Sequence, residues 1–211
     1  MSETTASPLR FASADGGEEL ARAELYGLLA QLWIAPPDDM LLQQFKVAVT
    51  QAPESGSLLE APWQALVAAM RNTTAADAAA EYDALFGGVG KPDVFLYGSY
   101  YLSGFLNEKP LALLRDELQR LGLTRDETRA ETEDHIAYLF EVMRYLIAGD
   151  DVAVCNLEQQ RQFFRAQLQP WVTQLCDAVD AQPRARSWRA VAEMTRHFVA
   201  VETQGFDLLE Q

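Results

Sequence analysis

The spacing of apolar residues constrains the fold of this chain more than any other feature of its sequence. From Glu18 onward, apolar residues recur every three or four positions, which places them on one face of a helix. In the first such segment they are Leu20, Ala23, Leu25, Leu28, Leu29 and Leu32. No segment alternates apolar and polar residues long enough to demand a sheet, and no repeat of constant length occurs. The sequence therefore predicts an all-α bundle of about eight to nine helices.

Length and composition predict a single domain with one core. The chain has 211 residues, of which 49% are hydrophobic, and two full domains are not expected at this length. Residues 1–17 are rich in Ser, Thr, Ala and Gly, so we expect a flexible arm there, followed by the helical domain over 18–211. The arm lacks the pattern of an export signal, and no later segment has the roughly 20 apolar residues that cross a bilayer. We therefore expect a soluble, cytoplasmic protein.

The charge balance restricts the classes of partner. The formal net charge is -14, whereas nucleic acids and anionic membranes are bound by clustered Lys and Arg. A helix-turn-helix regulator is also disfavoured, because the first fifty residues carry only Arg10, Arg22 and Lys46 as bases. The two cysteines, Cys155 and Cys176, are too few for a disulfide framework or a zinc site. Basic peptides are the partners that this composition favours.

Clusters of aromatic and polar residues mark the middle of the chain. They are Y-D-A-L-F-G-G over 82–88, Y-G-S-Y-Y-L over 97–102, E-T-E-D-H-I-A over 131–137 and F-F-R-A-Q-L-Q-P-W over 163–171. In this order they resemble the TorD/DmsD family, which includes NarJ-like proteins and consists of cytoplasmic chaperones for molybdenum-containing oxidoreductases. The resemblance implies a TorD-like helical bundle.

The resemblance also implies a function without enzymatic turnover. Such chaperones bind the twin-arginine signal peptide of a molybdoenzyme catalytic subunit, or its apo form, and assist insertion of the molybdenum cofactor before export or assembly. They occur as monomers and as domain-swapped homodimers, and no metal or cofactor of their own is expected. The chain departs from the family at Thr132, where Pro is usual, and at Gln167, where His is common. A formate dehydrogenase, a nitrate reductase and a sulfoxide or N-oxide reductase are all possible clients.

The resemblance identifies a set of candidate peptide-binding residues. A leader that combines two arginines with an apolar segment needs an apolar groove with carboxylates at its rim. We expect the rim to include Asp126, Glu127 and Glu133. The matching residues, and therefore the candidate site, are Tyr82, Leu85, Phe86, Tyr97, Ser99, Tyr100, Tyr101, Glu131, Asp134 and His135.

Packing roles remain open for several of these residues. Tyr82, Leu85 and Phe86 lie over a single helical turn, so they can equally pack in a core. Asp134 and His135 can equally mark a surface helix end, with the carboxylate offsetting the positive end of the helix dipole.

The helix that carries Asp134 and His135 has two possible starts. Capping boxes occur over 124–127 and over 128–131. Stepping 100° per residue from the apolar stripe over 136–147 puts His135 on the flank of that stripe and Asp134 nearly opposite to it. We therefore expect Asp134 to face outward.

The competing function is a metal-dependent enzyme. Glu131 precedes His135 by four residues, as Glu193 precedes His197, and this spacing puts each pair on one helical face. Di-iron bundles use Glu-x-x-His, which is one residue shorter. The chain has no G-x-S-x-G nucleophile, and Gly-Lys-Pro over 90–92 departs from the phosphate-binding pattern. The sequence therefore favours the chaperone over the enzyme.

Overall fold

Helices dominate the described part of the chain, which comprises residues 17–48, 58–87, 91–126 and 128–209 of the computed structural model. Apart from Gly17, the arm expected from the sequence lies outside these residues. The described helices are α1 (Gly17–Ile34), α2 (Asp39–Val47), α3 (Glu60–Arg71), α4 (Ala75–Phe86), α5 (Gly98–Ser103), α6 (Lys109–Arg120), α7 (Ile136–Ala148), α8 (Leu157–Gln167), α9 (Val172–Asp180) and α10 (Ser187–Leu208).

The all-α prediction is confirmed, since no strand occurs among the described residues. Ten helices are present there rather than the eight or nine expected. Part of the difference is α5, whose six residues are too few to produce a periodic pattern. No described helix has the length and apolar character that crossing a membrane requires.

Side-chain caps begin helices α2 and α4. The Asp38 carboxylate accepts a hydrogen bond from the Leu41 amide at 2.8 Å and starts α2. The Thr74 hydroxyl accepts one from the Asp77 amide at 3.1 Å and starts α4. Each cap satisfies an amide that would otherwise lack a partner at the helix end.

The start predicted for α7 is wrong. Helix α7 begins only at Ile136, with His135 as its N-cap residue, rather than after Thr124 or Thr128. The reason is local: the Asp126 carboxylate accepts hydrogen bonds from the Thr128 amide at 2.9 Å and from its hydroxyl at 2.6 Å. Such side-chain bonds offer the backbone an alternative to a helix. The described residues between Leu121 and His135 therefore form a non-helical connection.

Helix α1 packs along α7 and is also in contact with α10. The Tyr26 ring makes edge contacts with Phe140 of α7 at 5.5 Å and with Phe198 of α10 at 4.6 Å. Its hydroxyl donates to Glu202 at 3.0 Å, and Glu202 also binds Arg22 at 2.8 Å. A buried polar network therefore fixes how α1 sits on α10, in addition to the apolar core.

Candidate functional site

A short backbone junction joins the loop before α5 to the start of α7. Tyr97 and His135 form an isolated antiparallel bridge. On either side of it, the Gly98 amide donates to the Asp134 carbonyl at 2.9 Å, and the Ile136 amide donates to Leu96 at 2.9 Å. The structure thus brings the second and third sequence clusters together, although they lie far apart along the chain.

The buried side chain of Asp134 stabilises this junction through hydrogen bonds. It is only 3% exposed, and its carboxylate accepts hydrogen bonds from the Ser99 amide at 2.9 Å and from the Thr132 hydroxyl at 2.6 Å. The expectation that Asp134 faces outward is wrong, because the residue precedes the helix on which that expectation was based. Ser99 is also buried, and its own hydroxyl makes no hydrogen bond to any described residue.

His135 is a buried, neutral residue. Its Nδ1 accepts a hydrogen bond from the Ala137 amide at 3.2 Å, and its ring contacts Tyr97 at 5.2 Å and Tyr138 at 5.7 Å between ring centres. Burial lowers the pKa of the imidazole to about 4, although the negative charges of Glu131 and Asp134 oppose this shift. His135 therefore contributes an N-cap and a ring surface at neutral pH, and no positive charge.

Glu131 and two tyrosines lie near the outer edge of the junction. The Tyr97 hydroxyl donates a hydrogen bond to the Glu131 carboxylate. Burial raises the pKa of Tyr97, and the bond to Glu131 raises it further. The pKa of Tyr82 is also raised, by burial and then by the charge of Glu131. Both phenols therefore remain protonated and able to donate.

The first sequence cluster mainly packs in the core. The Tyr82 hydroxyl lies 3.1 Å from the Trp33 carbonyl and 3.0 Å from the Ile34 carbonyl, so it satisfies acceptors at the end of α1. Leu85 is fully buried, and the Phe86 ring packs edge-on against Trp33 at 5.9 Å. Tyr82 and Phe86 therefore contact the end of α1 directly, while Leu85 packs in the core.

The fourth cluster meets the second through Trp171. The Tyr101 ring stacks on Trp171 with an interplanar angle of 16° and a centre distance of 5.4 Å. A methyl group at Gly98 would come within 3.1 Å of the same indole, so glycine permits the close approach. Tyr100 instead stacks on Phe95 at 4.0 Å and is half-buried. Phe95, Tyr97, Tyr100 and Tyr101 all keep part of their surface accessible, whereas Trp171 is buried.

A groove of about 540 Å³ lies behind the junction, between α1, α7 and the connection that precedes α7. Ile34, Leu123 and Val142 contribute apolar lining, and Ala137 and Tyr138 continue the backbone directly from His135. The remaining lining residues are Ala30, Gln31, Leu118, Thr124, Arg125, Asp126, Arg129, Glu133, Glu141 and Tyr145.

Sequence reasoning missed most of this groove. It included only Asp126 and Glu133, as rim carboxylates, while Glu127 lies outside the described residues. The groove depends on a non-helical connection, and the sequence predicted a helix there. The available signal was Asp126 followed two residues later by Thr128, which is typical of a local turn.

The groove rim carries carboxylates that are already paired with arginines. Glu133 lies 2.9 Å from Arg115, and this contact lowers the pKa of Glu133. Asp126 lies 3.7 Å from Arg129. Arg115 is about half exposed, whereas Glu133 is largely buried.

The residues suggested for metal binding are separated in the structure. Glu193 is exposed and His197 is half-buried on α10, while His135 uses Nδ1 to cap α7. Within the described ranges, no three His, Cys, Asp or Glu side chains are grouped as metal ligands would be.

Comparison with protein families identifies one match to the chain. The model described as "Nitrate reductase delta subunit" matches residues 53–177. This span includes all four sequence clusters, the junction and the α7 side of the groove. No curated protein matches the chain.

Proposed function

Because the chain belongs to the nitrate reductase delta subunit family of molybdoenzyme maturation chaperones, we propose that it binds the leader of a molybdoenzyme catalytic subunit in the groove between α1 and α7. In this proposal the complex forms in the cytoplasm with the apo form of the client. The chaperone then assists cofactor insertion before export or assembly, without turnover of its own.

The observation that carries the proposal is the composition of the groove. A twin-arginine leader offers an apolar segment beside two guanidinium groups, and the groove offers an apolar lining beside Asp126 and Glu133. Its volume of about 540 Å³ is typical of a site that takes a few anchoring side chains. A basic peptide also complements a protein of net charge -14.

The junction has a positioning role in this proposal. Asp134 and His135 fix the backbone at the start of α7, which sets the positions of Ala137 and Tyr138 in the groove wall. Tyr97 holds Glu131 beside the same backbone. Residues that the sequence analysis assigned to direct contact thus act largely by holding the wall in place.

The rim pairing gives a directional test. The probe is a synthetic leader peptide with two adjacent arginines before an apolar segment, and its matched form has two glutamines instead. We expect Glu133→Gln to weaken binding of the arginine peptide by about fivefold, as for a partly exposed ion pair, and to leave the glutamine peptide almost unaffected. Glu193→Gln removes an exposed carboxylate from α10, outside the groove, and is the control.

A substitution of Arg115, the partner of Glu133, provides a second test with the opposite expected effect. Arg115→Gln removes the guanidinium that competes for Glu133, so the arginine peptide should bind more tightly than to the unaltered protein. Calorimetric titration measures both affinities. The groove assignment fails if Glu133→Gln and Glu193→Gln have equal effects on the arginine peptide, or if Arg115→Gln weakens its binding.

A further inference from the structure

Three exposed arginines lie close together along the chain at the start of α10. Arg184, Arg186 and Arg189 are exposed on the connection between α9 and α10 and in the first turn of α10. The loop before α5 runs beside them, since Arg184 Nη1 lies 4.0 Å from Asp93 Oδ2. We call these three arginines the basic patch.

The backbone beneath the basic patch is fixed in place. Glu81 of α4 is buried, and its carboxylate accepts hydrogen bonds from the amides of Arg186 at 2.7 Å and Trp188 at 2.9 Å. Arg189 Nη2 donates to the Gln182 carbonyl at the end of α9 at 3.1 Å. The arginines are therefore presented on an ordered backbone, which lowers the entropy lost when a ligand binds.

The charge of the basic patch is only weakly neutralised. Several other arginines make close ion pairs, as Arg115 does with Glu133 at 2.9 Å, although Arg71 and Arg125 donate to backbone carbonyls instead. Among the described residues, no carboxylate lies within 4 Å of the guanidinium of Arg186 or Arg189. Glu81 faces inward and is occupied by backbone amides. A local positive surface thus persists on a strongly acidic protein.

We propose that the basic patch binds an acidic peptide segment of a partner protein. Guanidinium groups recognise carboxylates through paired hydrogen bonds, and three arginines within six positions present several such forks together. A nucleic acid is disfavoured because the net charge of -14 repels a long polyanion beyond the patch. The basic patch shares no residue with the groove, so this proposal does not depend on leader binding.

The test uses a fluorescein-labelled peptide of ten glutamates, titrated by fluorescence anisotropy at low ionic strength. Arg184→Gln/Arg186→Gln/Arg189→Gln removes three charges from the basic patch. The control, Lys46→Gln/Lys109→Gln/Arg120→Gln, removes the same charge from exposed positions elsewhere. The double change Arg184→Gln/Arg186→Gln provides a milder variant that keeps the Arg189 contact with α9.

We expect the unaltered protein to bind the peptide and the triple variant of the basic patch to bind it roughly tenfold more weakly. The double variant should lie between them, while the control stays within about twofold. Binding should also weaken at higher salt. Absence of binding by the unaltered protein, or equal losses in the two triple variants, would overturn the proposal. So would tighter binding of a ten-nucleotide oligothymidylate that needs the same arginines, because the patch would then be a nucleic-acid site.

Discussion

Replacing Asp134 tests whether its carboxylate stabilises the junction or only lies at an exposed helix end. Asp134→Ala removes a carboxylate that accepts two hydrogen bonds and is 3% exposed. A hydrogen bond to a charged group contributes about 1.5–3 kcal/mol, and the Ser99 amide would be left buried without its acceptor. We therefore expect the free energy of unfolding to fall by about 3–5 kcal/mol. The melting temperature should fall by roughly 6–20 °C for a chain of this size.

Asp134→Asn is the matched variant, since it preserves shape and one acceptor oxygen. It should cost about 1–2 kcal/mol, and Thr132→Val about 1 kcal/mol, because each change weakens only part of the network. If the two residues act on each other, the double variant should cost less than the sum of the single changes. Chemical denaturation followed by circular dichroism measures all three values. If Asp134→Ala lowers the free energy of unfolding by less than about 1 kcal/mol, the loss is that expected for a surface helix end. Such a result would refute a stabilising role for the buried carboxylate.

Three further predictions address neighbouring groups. Tyr97→Phe removes the donor to Glu131 and should cost about 1 kcal/mol in a denaturant titration; an unchanged midpoint would show that water replaces the bond. Glu81→Gln weakens the carboxylate that holds three amides at the start of α10 and should cost about 2–4 kcal/mol, whereas a thermal melt equal to that of the unaltered protein would contradict this cap. Because the folded pKa of His135 is lowered from 6.5 to about 4, its contribution is complete above pH 6.5 and is lost as the pH falls toward 4. Between pH 7 and pH 5, His135→Asn, which keeps an N-cap acceptor, should lose about 2 kcal/mol less stability than the unaltered protein; equal losses would refute the buried neutral imidazole.

The sequence predicts the helical fold well because the period of apolar residues reports burial directly. Leu25, Leu28, Leu29 and Leu32 are all buried on one face of α1, as their spacing requires. The side chain of Thr74 caps α4 within the same short segment. These features depend on residues close together along the chain, and so local rules suffice.

The site is less predictable because it depends on contacts between distant segments. Tyr97 meets His135 only after the chain has folded, and Asp134 is buried by hydrogen bonds that no periodicity encodes. The connection before α7 was predicted as helix, although the side chains of Asp126 and Thr128 stabilise a turn. Because the helix start was predicted incorrectly, the sequence analysis predicted neither the orientation of Asp134 nor the groove.

The position of the groove couples its formation to completion of folding. Its two long walls belong to α1 and α7, and α2 to α6 lie between them in sequence. Pairing helices across such a separation requires closure of a long loop, which is slow relative to local helix formation. A partly synthesised or partly unfolded copy therefore lacks the groove even when its individual helices have formed. Under the proposed binding of leaders in this groove, only finished molecules compete for them, and defective copies do not sequester clients.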